Sequence, residues 1–166
     1  MPRKRIIPDA QVFAIIQRLL DDGGDKAVSF GTVATATGLA PPTLVQRYGS
    51  RDAMVRAARL AFWDDLDSRT GEAIAVTVGK GPQGLLKAIG PVKAADIAAD
   101  LRDPDLAQRA ASWRATVEAA LAERLGSGGK ARESAGLLFA AWQGLAFWSA
   151  AGPSDLRLKD AVKRLT

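Results

Sequence analysis

Residues 28–55 read VSFGTVATATGLAPPTLVQRYGSRDAMV, and their punctuation decides the fold. Ser29 offers an N-cap to a short helix through Val33, Ala34 and Thr37, which Gly38 ends. Pro41 and Pro42 open a second short helix that runs to Tyr48, because proline is tolerated only in the first helical turn, where its missing N–H has no intrahelical partner. Gly49 breaks the chain again and Ser50 caps a longer helix from Arg51. Two short helices joined by a tight turn, with a small residue in the first and glycine in the turn, make a helix-turn-helix, whose second helix enters the DNA major groove. Ala34 lets the helices approach, and Gly38 takes a left-handed conformation that a side chain resists. A plain helical hairpin meets the same spacing.

Outward from this motif, helical periodicity dominates and no segment alternates as a strand would, so the expected fold class is all-α. A first helix from about Pro8 to Asp22 carries Val12, Ile15, Ile16, Leu19 and Leu20 as its buried stripe. The fourth runs from Arg51 to about Ile74. Residues 83–101 read as two short helices split at Gly90-Pro91, and Asp103-Pro104 starts a long one ending before a linker at Gly126 to Gly129. The next, Arg132 to Ala150, is apolar nearly all round, and Ser154 is expected to cap a final amphipathic helix carrying Leu158, Ala161, Val162 and Leu165. The expected domains are 1–58 and 59–166.

Composition narrows the chemistry. The 166 residues include 23 Lys plus Arg and 18 Asp plus Glu, with no His and no Cys. A Cys/His zinc site, a Ser-His-Asp triad and a disulfide are excluded, no cofactor is expected, and an enzyme is the least favoured class. Asp64, Asp65 and Asp67 do not converge as metal ligands at i, i+4 would and read as a solvated face. No apolar run approaches the length of about 18 residues that a membrane span needs, so a cytoplasmic protein without a membrane partner is expected. The charge is uneven: residues 1–60 hold nine Lys/Arg and five Asp/Glu, the remainder fourteen and thirteen. A basic N-terminal third suits a polyanionic partner, although a solvated basic face looks the same in sequence.

Within the motif, Val33, Leu39, Leu44 and Tyr48 are expected to line the inner face. The outward face then shows Pro41, Thr43, Gln46 and Arg47, where Gln46 suits adenine edges, the Thr43 methyl suits thymine, and Arg47 reaches phosphate or guanine. Thr32, Pro42, Tyr48 and Arg51 complete the candidate DNA-binding set. Arg3, Lys4 and Arg5 are either an arm in the adjacent minor groove or a disordered tail.

The run Val28–Val55 resembles the DNA-binding motif of the TetR family of transcriptional regulators, through Ala34-x-x-x-Gly38 and Thr43-Leu44-x-x-x-Tyr48-x-Ser50-Arg51-Asp52. The resemblance covers roughly residues 8–60. Three positions depart from the family pattern: Ala40 where a capping Ser is usual, Val45 where a Tyr normally contacts the DNA backbone, and Arg47 where His is frequent. The resemblance implies an N-terminal three-helix DNA-binding domain followed by a helical dimerisation and ligand-binding domain. It also implies a phosphate contact from Arg51, in place of the usual Lys. On its own, Arg51 reads as a solvated first-turn residue placed against the helix dipole.

Members of the family dimerise through their last two long helices. Here Gly136, Ala140 and Gly144 recur every four residues, a ridge along which another helix backbone comes close. A helix apolar all round needs cover, which a homodimer supplies, as would a central position in a monomer. Trp148, Leu158, Val162 and Leu165 complete the expected interface. The family's ligand cavity makes Phe62, Trp63, Trp113, Phe139 and Trp142 candidate lining residues for a small hydrophobic or aromatic effector, and core rings by the plainer reading. The function expected is a ligand-responsive repressor that binds a palindromic operator as a homodimer. The alternative is a helix-turn-helix-shaped protein interaction module without operator binding.

Overall fold

The computed structural model describes residues 7–165, and among them it shows helices and no strand. The helices are α1 (Asp9–Gly23), α2 (Phe30–Thr37), α3 (Pro41–Tyr48), α4 (Arg51–Val76), α5 (Pro82–Ile89), α6 (Ala94–Asp100), α7 (Pro104–Leu125), α8 (Gly128–Trp148) and α9 (Leu158–Leu165). Short 3-10 turns cover Asp25–Ala27 and Ser149–Ala151. The all-α expectation holds. The chain divides into two compact units inside α4, between Asp65 and Leu66 rather than at 58/59.

The first unit is built on one apolar cluster. Val12 and Ile16 of α1, Val33 and Ala34 of α2, Leu39 of the turn, Leu44 of α3, and Met54 and Ala58 of α4 are all buried, with Ile7 and Val28 closing its edges. Local chemistry fixes where each helix starts. Ser29 Oγ accepts the Thr32 N–H at 3.1 Å while Thr32 Oγ1 accepts the Ser29 N–H at 2.9 Å, a reciprocal capping box that satisfies two otherwise orphaned donors. Ser50 Oγ accepts the Ala53 N–H at 3.1 Å and so caps α4. No side chain caps α3, whose N-cap is Ala40, and its Pro41-Pro42 start does that work through the backbone. Gly38 sits at φ 74°, ψ 11°, the left-handed conformation that turns the chain from α2 into α3.

In the second unit Asp103 accepts the N–H groups of Asp105 and Leu106 and sets the start of α7. Trp113, Val117 and Leu121 of α7 and Leu138 and Trp142 of α8 are buried. Arg124 donates to the carbonyls of Ala120 and Ile74, tying the end of α7 to the end of α4. Two boundaries differ from expectation. Helix α8 begins at Gly128, inside the expected linker, because the neighbouring Ala131, Ser134 and Ala135 are buried and packing outweighs glycine's poor helix propensity. Ser154 does not cap α9: its Oγ accepts the Leu156 N–H at 3.1 Å in a turn before the helix, and the Asp160 and Ala161 N–H groups donate to the Arg157 carbonyl.

A Cβ built at Gly38 meets nothing within 4 Å, so the cost of a side chain there is conformational alone. Gly38→Ala is expected to destabilise the protein by about 1–2 kcal/mol in denaturant unfolding, with Gly38→Asn costing less because Asn tolerates the left-handed region. Equal losses for the two would show that backbone conformation is not what Gly38 supplies.

Candidate nucleic-acid interface

Leu44 faces the core of the first unit and is fully buried, which turns the opposite side of α3 to solvent. Pro41, Pro42, Val45 and Gln46 are exposed there, with Thr43 half-buried. This is the face expected to read bases, with the addition of Val45, which sequence reasoning counted only as a lost contact. Thr32 is exposed, but its hydroxyl is committed to the capping box and to the Ala27 carbonyl at 2.9 Å. The S-x-x-T spacing was the signal for that role. The expected arm of Arg3, Lys4 and Arg5 lies outside the described residues.

The two arginines of the expected DNA contact are engaged within the first unit. Arg47 Nη1 donates to the Ile7 carbonyl at 2.7 Å and lies 3.6 Å from Asp9 Oδ1. Tyr48 donates its hydroxyl to the same carboxylate at 2.6 Å and sets its ring 6.0 Å from that of Phe13. The C-terminal end of α3 is thus tied to the start of α1 by a charge, a phenol and an aromatic contact. Burial, and then the hydrogen bond to Asp9, push the Tyr48 phenol up to about 12.

Arg51 makes the densest set of contacts. Its Nε donates to the Val28 carbonyl at 3.0 Å and its Nη2 to the Asp25 carbonyl, while its charge pairs with Asp25 at 2.7 Å and Asp52 at 3.0 Å. The planar fork reaches all of these at once, which an ammonium could not do. The hydrogen bond to Asp25, more than anything else, raises the Arg51 pKa. Arg51 therefore fixes the turn ahead of α2 against the start of α4. The sequence offered a phosphate partner as the reason for a cation at this helix start; the structure supplies Asp25 and Asp52. Asp9 and Asp25 carry no local signal of these roles, because Tyr48 and Arg51 lie 39 and 26 positions away along the chain.

The remaining candidates fall into two groups. Phe62 stacks edge-on against buried Trp63, at 5.5 Å, and lines a groove of about 520 Å³ between α1 and α4 together with Phe13 and Gln17. Arg59, buried beside it, lies 4.4 Å over the Phe62 ring and donates to Gln17 at 2.9 Å. In the second unit Trp113, Phe139 and Trp142 pack on one another with ring centres 5.7 to 6.4 Å apart, and Trp113 Nε1 donates to Thr70 at 2.9 Å. This is how core rings pack. Asp67 is half-buried, lies 3.6 Å from Arg109, and has its pKa raised by burial, so it departs from the solvated face expected of it. No group of acidic side chains among the described residues could hold a metal ion, and no described helix is long and apolar enough to cross a membrane.

On α8, Ala140 and Trp148 are exposed and Gly136 and Gly144 half-buried, in company with exposed Leu137 and Phe147. On α9, Leu158, Val162 and Leu165 are half-buried over buried Ala161, and Leu165 lines a small cavity with Leu125 and Ala131.

No protein-family model matches the chain, and no curated protein matches it. Among solved structures it is similar to Salmonella enterica GusR, with 19% identity, a TM-score of 0.54, and coverage of 99% of this chain and 97% of that one. The likeness is one of fold, and it runs through both units.

Two outcomes follow from the arginine and tyrosine contacts. Arg51→Ala, and Arg51→Lys nearly as much, is expected to lower unfolding stability by about 1–3 kcal/mol, since charge-assisted hydrogen bonds are lost and the Lys lacks the fork. A loss of DNA affinity with unchanged stability would instead assign Arg51 to phosphate. Tyr48 is the single tyrosine, so phenolate absorbance reports it alone. Its ionisation is expected near pH 12, and because the folded pKa is the raised one, the stabilisation is complete below about pH 10 and lost as pH rises toward 12. Tyr48→Phe should remove that alkaline loss.

Proposed function

We propose that the protein is a sequence-specific DNA-binding transcriptional regulator of the TetR type, acting as a homodimer on a palindromic operator. The observation that carries this reading is the pair α2 and α3, turned through Gly38, with α3 buried on its Leu44 side and bare on the side of Val45 and Gln46. That is the geometry of a helix offered to the major groove. The fold shared with GusR along the whole chain supports the same reading.

Dimerisation draws its support from α8. A Cβ built at Gly136 or Gly144 meets nothing within 4 Å, so nothing within the chain requires glycine at either place. Glycine inside a helix costs about 0.5–1 kcal/mol relative to alanine, and close approach by a second α8 gives it a purpose. Exposed Leu137, Phe147 and Trp148 supply apolar area beside it. Two such subunits would present their α3 helices to half-sites about 34–36 Å apart.

The second reading, a helix-turn-helix-shaped protein interaction module, is favoured by the charge. Residues 7–65 hold six Lys/Arg against seven Asp, and Arg47 and Arg51 are both paired with carboxylates. Arg3, Lys4 and Arg5 account for three of the four excess positive charges of residues 1–60, so on the regulator reading these three carry much of the phosphate attraction.

The deciding experiment is selection of binding sites from a randomised duplex library at two salt concentrations. The regulator reading expects a palindromic motif, a salt slope that falls by about 2–3 when residues 2–5 are deleted, and relaxed base preference in Gln46→Ala. Gly144→Leu should convert the dimer to monomer in sedimentation and weaken operator binding. No enrichment at either salt would favour the interaction module.

A further inference from the structure

Alone among the large hydrophobic residues described up to Asp65, Val45 is exposed, at 44%. Every other one is wholly or half buried, including Leu44 beside it. Valine is also a poor choice for the helix itself, since its β-branch loses rotamer freedom in the eight residues of α3. A bare valine thus stands in the middle of the helix that faces outward. One turn earlier stand Pro41 and Pro42, and next to it stands the Gln46 amide, so this face offers apolar contact and one amide. The guanidinium nearest to it, that of Arg47, directs its Nη1 to the Ile7 carbonyl and toward Asp9.

In the major groove, the apolar group that a standard base edge presents is the 5-methyl of thymine, and an amide pairs with the N6 and N7 of adenine. Resting on the regulator reading above, we infer that Val45 reads a thymine 5-methyl group, and that the step α3 contacts is A·T, with Gln46 on a neighbouring adenine. Val45 then sets specificity at one position of each half-site.

The test uses the full chain and the site obtained by selection. Each thymine of a half-site is replaced in turn by deoxyuridine, which removes only the methyl group, and dissociation constants are measured for wild type, Val45→Ala and Val45→Thr. One thymine per half-site should lose about fourfold in wild-type affinity on becoming uracil, the effect of about one buried methyl group. The same change should have a clearly smaller effect on Val45→Ala, which keeps only the Cβ, whereas Val45→Thr, which keeps one γ-methyl, should retain the preference. Circular dichroism checks that the variants fold, which an exposed position favours. A selected site at which every thymine-to-uracil change acts equally on wild type and Val45→Ala would overturn this inference and leave the regulator reading standing. Absence of any selected site would overturn both, and would make Val45 part of a protein-docking face.

Discussion

One guanidinium holds the first unit in shape. Arg51 stands at the start of α4 and grips the chain ahead of α2 through two backbone carbonyls and the Asp25 carboxylate. The turn it holds leads directly into Ser29, whose capping box begins α2. Because α2 passes into α3 through Gly38, the direction in which α3 faces depends on that grip. A second tie closes the other end, where Asp9 at the start of α1 receives the Tyr48 hydroxyl and faces Arg47. The C-terminal end of α3 and the start of α4 are therefore held by polar contacts, and the inner face of α3 by the apolar cluster.

This bracing consumes charge. The cations nearest the exposed face are spent on carboxylates and carbonyls of the same unit, which leaves α3 to present proline, valine and an amide. Such a surface suits discrimination between base edges better than bulk attraction to phosphate. On the regulator reading proposed above, attraction would fall to Arg3, Lys4 and Arg5 and discrimination to α3.

The second unit shows a related division along α8. One side carries Ala135, Leu138 and Trp142 into the core, where Trp142 meets Trp113 and Phe139. The other side keeps Leu137, Phe147 and Trp148 in solvent beside glycines that no intrachain contact requires. A helix apolar on both sides thus has one side covered by its own chain and one left exposed.

The sequence by itself determined the helices of the first unit almost to the residue. Their ends are set by local chemistry, namely the Ser29 and Ser50 caps, the Pro41-Pro42 start and the Gly38 turn, and such chemistry acts within four residues and is legible in order along the chain. The buried set of Val12, Ile16, Val33 and Leu44 was legible for the same reason, through helical period. Only the tertiary structure decided what the polar residues do. Arg47, Tyr48 and Arg51 could be placed on a face but not paired, since Asp9, Ile7 and Asp25 reach them only when separate helices pack. It likewise decided that Val45 is bare and that α8 begins at Gly128, because exposure and long-range burial belong to the packed molecule and leave no mark on local sequence.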